Sequence, residues 1–285
     1  MKEIRLPSEY FDPAQTLCCG QVFRFRPCGG GFTVYAKDRA CRLFKEGGFV
    51  HIVCGDEDAG FFENYFDLSR DYEKIVREAK NAGVTVLSAA AECGKGIRIL
   101  NQDPEEALFS FILSQNNRIP RIRAIIERLC DALGEERMFM GERYRAFPTA
   151  EKLAERDEAF YLSAGAGYRA KYMAETARRV AREGVAALAK LRGGELRRAL
   201  MRFPGVGPKV ADCVALFGFH DSGAFPVDTW IEKVYREDFG GKEKDREKIA
   251  AYFADRFGEN GGYIQQYLFY YKRGREVADG KHNDR

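Results

Sequence analysis

Long apolar runs are missing from this 285-residue sequence. No stretch of 18 consecutive apolar residues occurs, which argues against a membrane-spanning helix. The first residues, MKEIRLPSEYFDP, are polar and do not form the apolar segment of a signal peptide. The composition, 45% hydrophobic and 31% charged, is typical of a soluble globular chain. We therefore expect a cytoplasmic protein with no membrane partner, built from one large or two moderate domains.

Patterns that bind metals are also scarce. The eight cysteines include no C-x-x-C pair, and the three histidines are far apart in the sequence. Zinc sites and iron–sulfur clusters need ligands at closer spacings. We therefore expect scattered reduced thiols, no metal cluster and no cofactor.

The net charge is small, +3, but the charged residues are unevenly distributed. Residues 1–100 hold 14 basic and 14 acidic side chains, whereas residues 168–213 hold 11 basic and 4 acidic ones. A local excess of positive charge is typical of a surface that binds a polyanion. It is equally typical of a solvated helix surface, and charge alone leaves both interpretations open.

The first part of the chain has the pattern of an antiparallel meander. Its predicted strands are rich in aromatic and β-branched residues and are separated by glycines or by Asp38-Arg39. They are QVFRFR (21–26), FTVYAK (32–37), CRLF (41–44) and FVHIV (49–53). From about residue 57 the pattern becomes helical. The predicted class is therefore α+β, with a β domain and flanking helices in residues 1–100 and a mainly helical domain in residues 101–285.

Capping residues and glycines predict where the helices begin and end. An Asp-Pro pair marks two helix starts, and a glycine or a proline marks most of the other boundaries. The predicted boundaries are Asp12-Pro13, Asp103-Pro104, Pro120 to Gly134, Pro148-Thr149, Tyr168 to Arg182, Thr229 and Gly261-Gly262.

The segment MRFPGVGPKVADC, residues 201–213, predicts two helices joined by a short hairpin. Gly205 and Gly207 permit the positive φ that such a turn needs. Consecutive backbone N–H groups at the start of the second helix can bind a phosphate oxygen. A plain connector between two helices would have the same sequence features, and this short motif alone leaves the choice open.

Lys209 stands in the first turn of that second helix, with Cys213 and Phe217 on the same face. Apolar neighbours and a helix N-terminus both disfavour the ammonium, so we expect a depressed pKa and an amine able to form a Schiff base. The alternative is a solvated lysine near a turn. Asp228, in AFPVDTW, precedes another helix. It caps that helix, or stabilises positive charge that develops on a sugar, and a capping aspartate at a cleft can do both.

Six segments occur in an order and at spacings that match one protein family. They are CGQVFRF, DPEEALFSFILSQNN, GAGYRAKY, FPGVGPKVADC, PVDTW and YIQQYLF. On these segments the chain resembles, nearly end to end, the 8-oxoguanine DNA glycosylase/AP lyase family of the helix-hairpin-helix superfamily. The resemblance implies a twisted antiparallel sheet domain followed by a helical domain that contains the helix-hairpin-helix motif and the active-site cleft.

The resemblance also implies an activity. A member of this family flips 8-oxoguanine out of duplex DNA, excises it through a lysine Schiff base and nicks the strand by β-elimination. For this chain it implies a monomer whose partner is double-stranded DNA with 8-oxoguanine opposite cytosine. Lys209 matches the nucleophile and Asp228 matches the catalytic aspartate.

The base-binding residues are carried over in the same way. Cys213 and Phe269 match the residues that sandwich the base, with Phe217 beside them in the pocket, and Gln265 matches the reader of its Watson–Crick edge. The backbone carbonyl of Gly20 matches the group that tests for hydrogen on N7. 8-Oxoguanine carries that hydrogen and guanine has a lone pair instead, so a fixed carbonyl distinguishes the two bases.

A second set of matches faces the DNA. Asn116 matches the residue that fills the gap left by the extruded base, Tyr168 matches the wedge that kinks the duplex, and Arg121 and Arg169 match the pair that reads the orphaned cytosine. The remaining residues of this set are Asn117, Gly205, Val206, Gly207 and Trp230. Without the resemblance, the asparagines would be interpreted as a helix C-cap, and Tyr168, Arg121 and Arg169 as surface side chains.

The chain departs from the family pattern at three positions. Trp230 stands where animal relatives have a histidine near phosphate, Phe217 where methionine is common, and Arg118 where a third asparagine is common. Some relatives bind a monovalent cation through hairpin carbonyls. Carried over, those carbonyls belong to Met201, Phe203 and Val206.

Two other functions stay open at this point. One is an alkylated-purine glycosylase of the same superfamily, which typically works with the aspartate and water and lacks the lysine. The other is a non-catalytic DNA-binding module that uses the hairpin only as a phosphate clamp. Lys209 argues against the first, and the joint occurrence of Lys209, Asp228 and the base-pocket residues argues against the second.

Overall fold

The N-terminal part of the chain is built on a five-stranded antiparallel sheet. This computed structural model describes residues 1–278. The strands are β1 (Lys2–Pro7), β2 (Phe25–Cys28), β3 (Gly31–Ala36), β4 (Arg39–Glu46) and β5 (Phe49–Cys54). Their order in the sheet is β1-β5-β4-β3-β2, so the predicted meander is confirmed and β1 returns to pair with β5.

Two strand predictions needed correction. The segment 21–26 contributes only its last residues to β2, because Gln21 is buried and bonded to the backbone of other segments. Strand β1 was not predicted, because the first residues of the chain were interpreted only as a polar segment, although Ile4 and Leu6 alternate there with exposed residues. Successive side chains of each strand point alternately to the buried and the exposed face of the sheet, and the buried face packs on two helices. Its core includes Phe11, Leu17, Val34, Leu43, Ile52, Phe62 and Phe66.

Helices make up most of the remaining chain. The first four are α1 (Pro13–Cys18), α2 (Ala59–Tyr65), α3 (Tyr72–Asn81) and α4 (Thr85–Gly94). The next five are α5 (Pro104–Ser114), α6 (Ile119–Leu133), α7 (Ala150–Ala154), α8 (Glu158–Ser163) and α9 (Ala170–Glu183). The last five are α10 (Gly193–Leu200), α11 (Pro208–Gly218), α12 (Thr229–Asp238), α13 (Arg246–Phe257) and α14 (Gly261–Ala278).

Most predicted helix boundaries are confirmed. The side chains of Asp12, Asp103 and Thr149 accept backbone hydrogen bonds at the starts of their helices, and Gly134 ends α6. The fourth helix differs, because a 3₁₀ turn over Gly167–Arg169 precedes α9. An exposed hairpin, β6 (Glu136–Phe139) with β7 (Glu142–Arg145), was not predicted, since its side chains do not alternate between apolar and polar.

The sheet and the helices are joined by buried polar and apolar contacts. Arg24, next to β2, lies 3.6 Å from Glu106 on α5, and both side chains are buried. Helices α3 and α4 belong to the same apolar core as α14, which approaches α4 closely at Gly94. The domain boundary at residue 100 stays a prediction. Within residues 1–278, none of the helices is both long and apolar enough to cross a bilayer.

Candidate active site

The predicted hairpin joins α10 to α11 and needs only one positive φ. Gly205 has φ +77°, and a Cβ there would lie 2.5 Å from the ring of Tyr172. Gly207 was expected to have positive φ as well, but it is the extended N-cap of α11, with φ −89° and ψ 179°. That prediction was wrong because the first residue of the helix is Pro208, and a residue before proline favours extended backbone.

The hairpin leaves the first backbone N–H groups of α11 without a side-chain cap. Gly207 provides no side-chain cap, so the first N–H groups of the helix stay available to an external acceptor. Inside the turn, Val206 N donates to the Phe203 carbonyl at 3.0 Å. The phosphate contact of Gly205, Val206 and Gly207, and the cation on the carbonyls of Met201, Phe203 and Val206, stay predictions.

Lys209 and Asp228 line one cavity, although 19 positions separate them. The cavity has a volume of about 70 Å³ and lies among α5, α11, α14 and the segments that follow α1 and precede α12. The predicted residues in its lining are Gly20, Lys209, Cys213, Phe217, Asp228, Gln265 and Phe269. The carried-over catalytic and base-binding residues therefore meet at one place.

Asp228 uses one carboxylate oxygen for the helix behind it. Its Oδ1 accepts hydrogen bonds of 3.0 Å from the backbone N–H groups of Trp230 and Ile231 and so caps α12. Burial raises the pKa of this carboxyl, whereas the two N–H donors and Lys209 oppose that effect. Capping and a role at the cavity are therefore compatible in one side chain.

Lys209 has a raised pKa, contrary to the sequence prediction. The charge of the Cys213 thiolate contributes most, burial opposes it, and the Asp228 carboxylate raises the pKa further. Burial raises the pKa of Cys213 itself to about 11, so around neutral pH its thiol is uncharged and Asp228 is the anion that counters burial. The prediction considered burial and the helix N-terminus and left the neighbouring anions out.

Aromatic rings form the apolar wall beside the amine. The Lys209 Nζ lies 5.9 Å from the centroid of Phe111, which stacks on Phe217 at 5.4 Å with an interplanar angle of 16°. Cys213 is buried on α11, one turn beyond Lys209, and Phe269 lies half-buried on α14. A flat base that enters the cavity would meet these rings and the thiol.

Gln265 presents an unsatisfied acceptor. Its Nε2 donates to the Pro226 carbonyl at 3.1 Å, which leaves the side-chain oxygen directed elsewhere. That Oε1 is buried and has no hydrogen-bond partner among residues 1–278. A buried polar atom without a partner is unfavourable, so a ligand with N–H donors would be favoured here. The Watson–Crick edge of a guanine-type base carries N–H donors at N1 and N2.

Four further residues line the cavity without having been predicted: Cys19, Phe111, Pro226 and Gln266. Cys19 and Gln266 directly adjoin predicted residues, so their neighbours could have indicated them. Phe111 lies on the apolar stripe of α5 and looks in the sequence like any other core residue. Only the packing of α5 against α11 brings it to Lys209.

Five of the residues predicted to face DNA lie at or near the turn between α5 and α6. Asn116 has φ +44° just beyond the end of α5, and Asn117 Nδ2 donates to the Leu113 carbonyl at 3.0 Å. Tyr168 is 57% exposed, and its hydroxyl donates to the Gln115 carbonyl at 3.2 Å. Arg121 is exposed at the start of α6, where its guanidinium donates to the Gly165 carbonyl.

Arg169 is placed differently from a surface arginine. It is 3% exposed, and its guanidinium donates to the carbonyls of Gln115, Asn116 and Ala166. It also lies 4.3 Å from the centroid of Tyr168. Arg169 thus holds the turn that carries Asn116, and its contact with cytosine stays a prediction.

The three departures occupy different environments. Phe217 is buried in the cavity wall, Arg118 is exposed at the N-cap position of α6, and Trp230 is half-buried in the first turn of α12. Trp230 therefore lies next to Asp228, on the same helix start, and its phosphate contact stays a prediction.

Two protein-family models match this chain, and together they cover residues 3–259. Residues 3–108 match "8-oxoguanine DNA glycosylase, N-terminal domain", and residues 109–259 match "HhH-GPD superfamily base excision DNA repair protein". A probable N-glycosylase/DNA lyase of Methanothermobacter thermautotrophicus is 32% identical over 240 residues, which is 76% of this chain and 75% of the relative. The N-glycosylase/DNA lyase of Saccharomyces cerevisiae is 36% identical over 203 residues, 65% of this chain. This chain spans about half the length of the yeast relative, 53%.

Solved structures give the same picture. The 8-oxoguanine glycosylase/lyase of Clostridium acetobutylicum, in complex with double-stranded DNA containing cytosine opposite 8-oxoguanine, is 37% identical with a TM-score of 0.89. The match covers 94% of this chain and 93% of that one. The 3-methyladenine DNA glycosylase of Archaeoglobus fulgidus shares the fold, with a TM-score of 0.77 at 18% identity. The chain therefore belongs to the 8-oxoguanine DNA glycosylase family, within the HhH-GPD superfamily of base excision DNA repair proteins.

Proposed function

We propose that this protein removes 8-oxoguanine from duplex DNA, opposite cytosine, and then nicks the strand at the resulting abasic site. The observation that carries the proposal is the cavity in which Lys209 and Asp228 meet the unpartnered Oε1 of Gln265. An amine, a carboxylate and a reader of N–H donors are the groups that such a reaction needs. The named relatives and the Clostridium complex support the same activity.

Five of the cavity residues have a role in the proposed reaction. The flipped base stacks between Cys213 and Phe269 and offers its N–H donors to Gln265. The Lys209 amine attacks C1′, the N-glycosidic bond breaks, and the base leaves with the bonding electrons and takes up a proton. Asp228 stabilises the positive charge that develops on the sugar during this step.

The nick follows from the covalent intermediate. Loss of the ring C–O bond gives a Schiff base between Lys209 and C1′. The iminium makes the C2′ proton acidic, and its removal expels the 3′ phosphate by β-elimination. Hydrolysis of the imine then releases Lys209.

A trapping experiment tests the proposal. We expect the wild type to excise 8-oxoguanine fastest opposite cytosine among the four possible partners, and to give a covalent protein–DNA adduct with borohydride. Lys209→Gln should give no adduct and keep DNA binding. Lys171→Gln is the matched control, because Lys171 is an exposed lysine on α9 whose loss removes the same charge.

Three results would contradict the proposal. They are adduct formation by Lys209→Gln, excision of 3-methyladenine in preference to 8-oxoguanine, and DNA binding by the wild type without any nick.

A further inference from the structure

The chain around Gly20 is held from three directions. The carbonyls of the residues at positions 18, 19 and 21 each accept a side-chain hydrogen bond. The bonds are Arg273 Nη2 to Cys18 at 2.9 Å, Gln266 Nε2 to Cys19 at 3.2 Å and Gln102 Nε2 to Gln21 at 2.8 Å. Among residues 1–278, no donor reaches the Gly20 carbonyl between them, and Gly20 lines the cavity. Its neighbours are fixed and its own acceptor is free.

Gly20 itself fits closely against α14. Its φ is +97°, and a Cβ there would lie 3.4 Å from Arg273 Nη1 and 3.8 Å from the ring of Phe269. The buried side chain of Gln21 ties the loop to the segment before α5, through Arg98 O at 2.7 Å and Leu100 N at 2.9 Å. The peptide therefore has little freedom to rotate.

Helix α14 carries residues that line the cavity and residues that bond to this loop. Gln265 and Phe269, four residues apart, lie in the cavity lining. Gln266 and Arg273, seven residues apart, lie two turns from each other along the helix and bond to successive carbonyls. The Arg273 guanidinium also lies 5.2 Å from the centroid of Phe269, so this one side chain contacts both the Gly20 loop and a residue of the cavity lining.

We propose that Gln266 and Arg273 are positioning residues that fix the Gly20 carbonyl and so set the preference for 8-oxoguanine over guanine. This inference rests on the proposed function. A carbonyl at a fixed position accepts a hydrogen bond from the N7–H of 8-oxoguanine and is repelled by the N7 lone pair of guanine. If the peptide can rotate, the hydrogen bond weakens and so does the repulsion.

Removal of either donor tests the proposal. Gln266→Leu keeps the size of a side chain that is 3% exposed and removes its N–H groups. Arg273→Met removes the second donor, and Arg273→Lys restores one. Arg275→Met is the matched control, because Arg275 is on the same helix and donates to the Tyr271 hydroxyl, outside the loop.

Two readouts separate positioning from a general structural effect. The first compares single-turnover excision of 8-oxoguanine with nicking of a preformed abasic site, which needs Lys209 but has no base to read. The second compares the Kd values for 8-oxoguanine and guanine duplexes in a Lys209→Gln background, where no excision occurs.

We expect Gln266→Leu and Arg273→Met to slow excision about tenfold, a loss within the range for one hydrogen bond. The rate of nicking at the abasic site should stay within about twofold of the wild-type rate. The Kd for the guanine duplex divided by the Kd for the 8-oxoguanine duplex should fall about tenfold. Arg273→Lys should recover most of both effects, and Arg275→Met should match the wild type.

An unchanged Kd ratio, or a parallel loss of excision and abasic-site nicking, would overturn the proposal. If Gln266→Leu fails to fold, the comparison of Arg273→Met with Arg273→Lys gives the same answer. A wild type that excises no 8-oxoguanine would instead contradict the proposed function, so the two failures are distinguishable.

Discussion

The carboxylate of Asp228 caps a helix and borders the cavity at the same time. We predict that Asp228→Asn keeps the cap, since asparagine is an equally good N-cap residue, and slows base excision by about 100-fold or more through loss of the charge. Single-turnover excision and thermal unfolding measure the two effects separately.

Asp157→Asn is the control for that substitution. Asp157 caps α8 through a 3.0 Å bond from Phe160 N and is not part of the cavity lining. Both variants should unfold near the temperature of the wild type, and only Asp228→Asn should lose activity. Equal activity in both would assign Asp228 to capping alone.

The raised pKa of Lys209 makes a prediction about pH. The attacking species is the free amine, so the lysine must lose its proton before the reaction. Because the ordinary pKa of a lysine already lies above this pH range and the Asp228 carboxylate raises it further, the amine fraction at pH 6–8 is small and increases about tenfold with each pH unit. We predict that the single-turnover rate of excision increases with pH over this range.

The yield of adduct trapped with borohydride at each pH should follow the same species, the free amine of Lys209. Asp228, whose pKa is raised by burial, ionises as pH increases and therefore acts in the same direction. A rate that falls as pH increases from 6 to 8 would contradict the assignment of Lys209 as nucleophile.

For single residues, the sequence predicted which side chains line the cavity better than it predicted their pKa values or burial. The motif match placed Lys209, Asp228 and Gln265, and all three line the cavity. The pKa of Lys209 could not be predicted in the same way, because it depends on the distances to Cys213 and Asp228. The burial of Arg169 likewise depends on the turn that follows α5.

The hairpin between α10 and α11 is the element on which DNA binding is predicted to depend. We predict that Gly205→Ala destabilises the protein by about 2 kcal/mol or more, since φ is +77° and the new Cβ would overlap the ring of Tyr172. Denaturant unfolding measures this change.

Gly207→Ala is the matched variant in the same turn. Gly207 has φ −89°, and a Cβ there would meet no atom within 4 Å. Its stability should stay close to that of the wild type, whereas its DNA affinity should fall because the methyl group stands where the backbone would approach a phosphate. Tight DNA binding by Gly207→Ala would contradict the phosphate-binding role of the hairpin.

Elements with clear caps were predictable and edge elements were not. The starts of α1, α5 and α7 follow from Asp12, Asp103 and Thr149, whose local hydrogen bonds form within one turn. The β6–β7 hairpin is mostly exposed and lacks the apolar alternation from which strands are predicted. Strand β1 does alternate, at Ile4 and Leu6, but it lies in a segment that was interpreted only as polar. Their pairing depends on partners elsewhere in the fold.

The contact between the sheet and the helices contains a buried ion pair, Arg24 with Glu106. The Arg24 guanidinium also donates to the carbonyls of Lys37 and Arg145, so three segments meet at one side chain. We predict that Arg24→Met destabilises the whole molecule by about 3–5 kcal/mol, because Glu106 is left buried without its partner. Equilibrium unfolding in urea measures this loss.

Arg26→Met is the comparison for that prediction. Arg26 pairs with Glu127, but both side chains are exposed, so its loss should cost less than about 1 kcal/mol. Similar losses of stability in the two variants would show that the buried pair does not join the sheet to the helices.

At the scale of the whole molecule, the predicted α+β class is confirmed, but the assembly of the site was beyond the sequence pattern. The cavity takes side chains from positions as distant as Gly20 and Phe269. Local periodicity describes one helix at a time and contains no information about which helices approach. The order of the motifs supplied that information through the family, and packing supplied Phe111.

Helix α14 is the last described element, and it carries Gln265 and Phe269. A chain that stops before this helix would therefore contain Lys209 and Asp228 but lack Gln265 and Phe269, which line the cavity with them. Synthesis from the N-terminus makes the proposed nucleophile before it makes Gln265, the proposed reader of the base. Products truncated before Gly261 should consequently be less selective for the lesion than the intact protein.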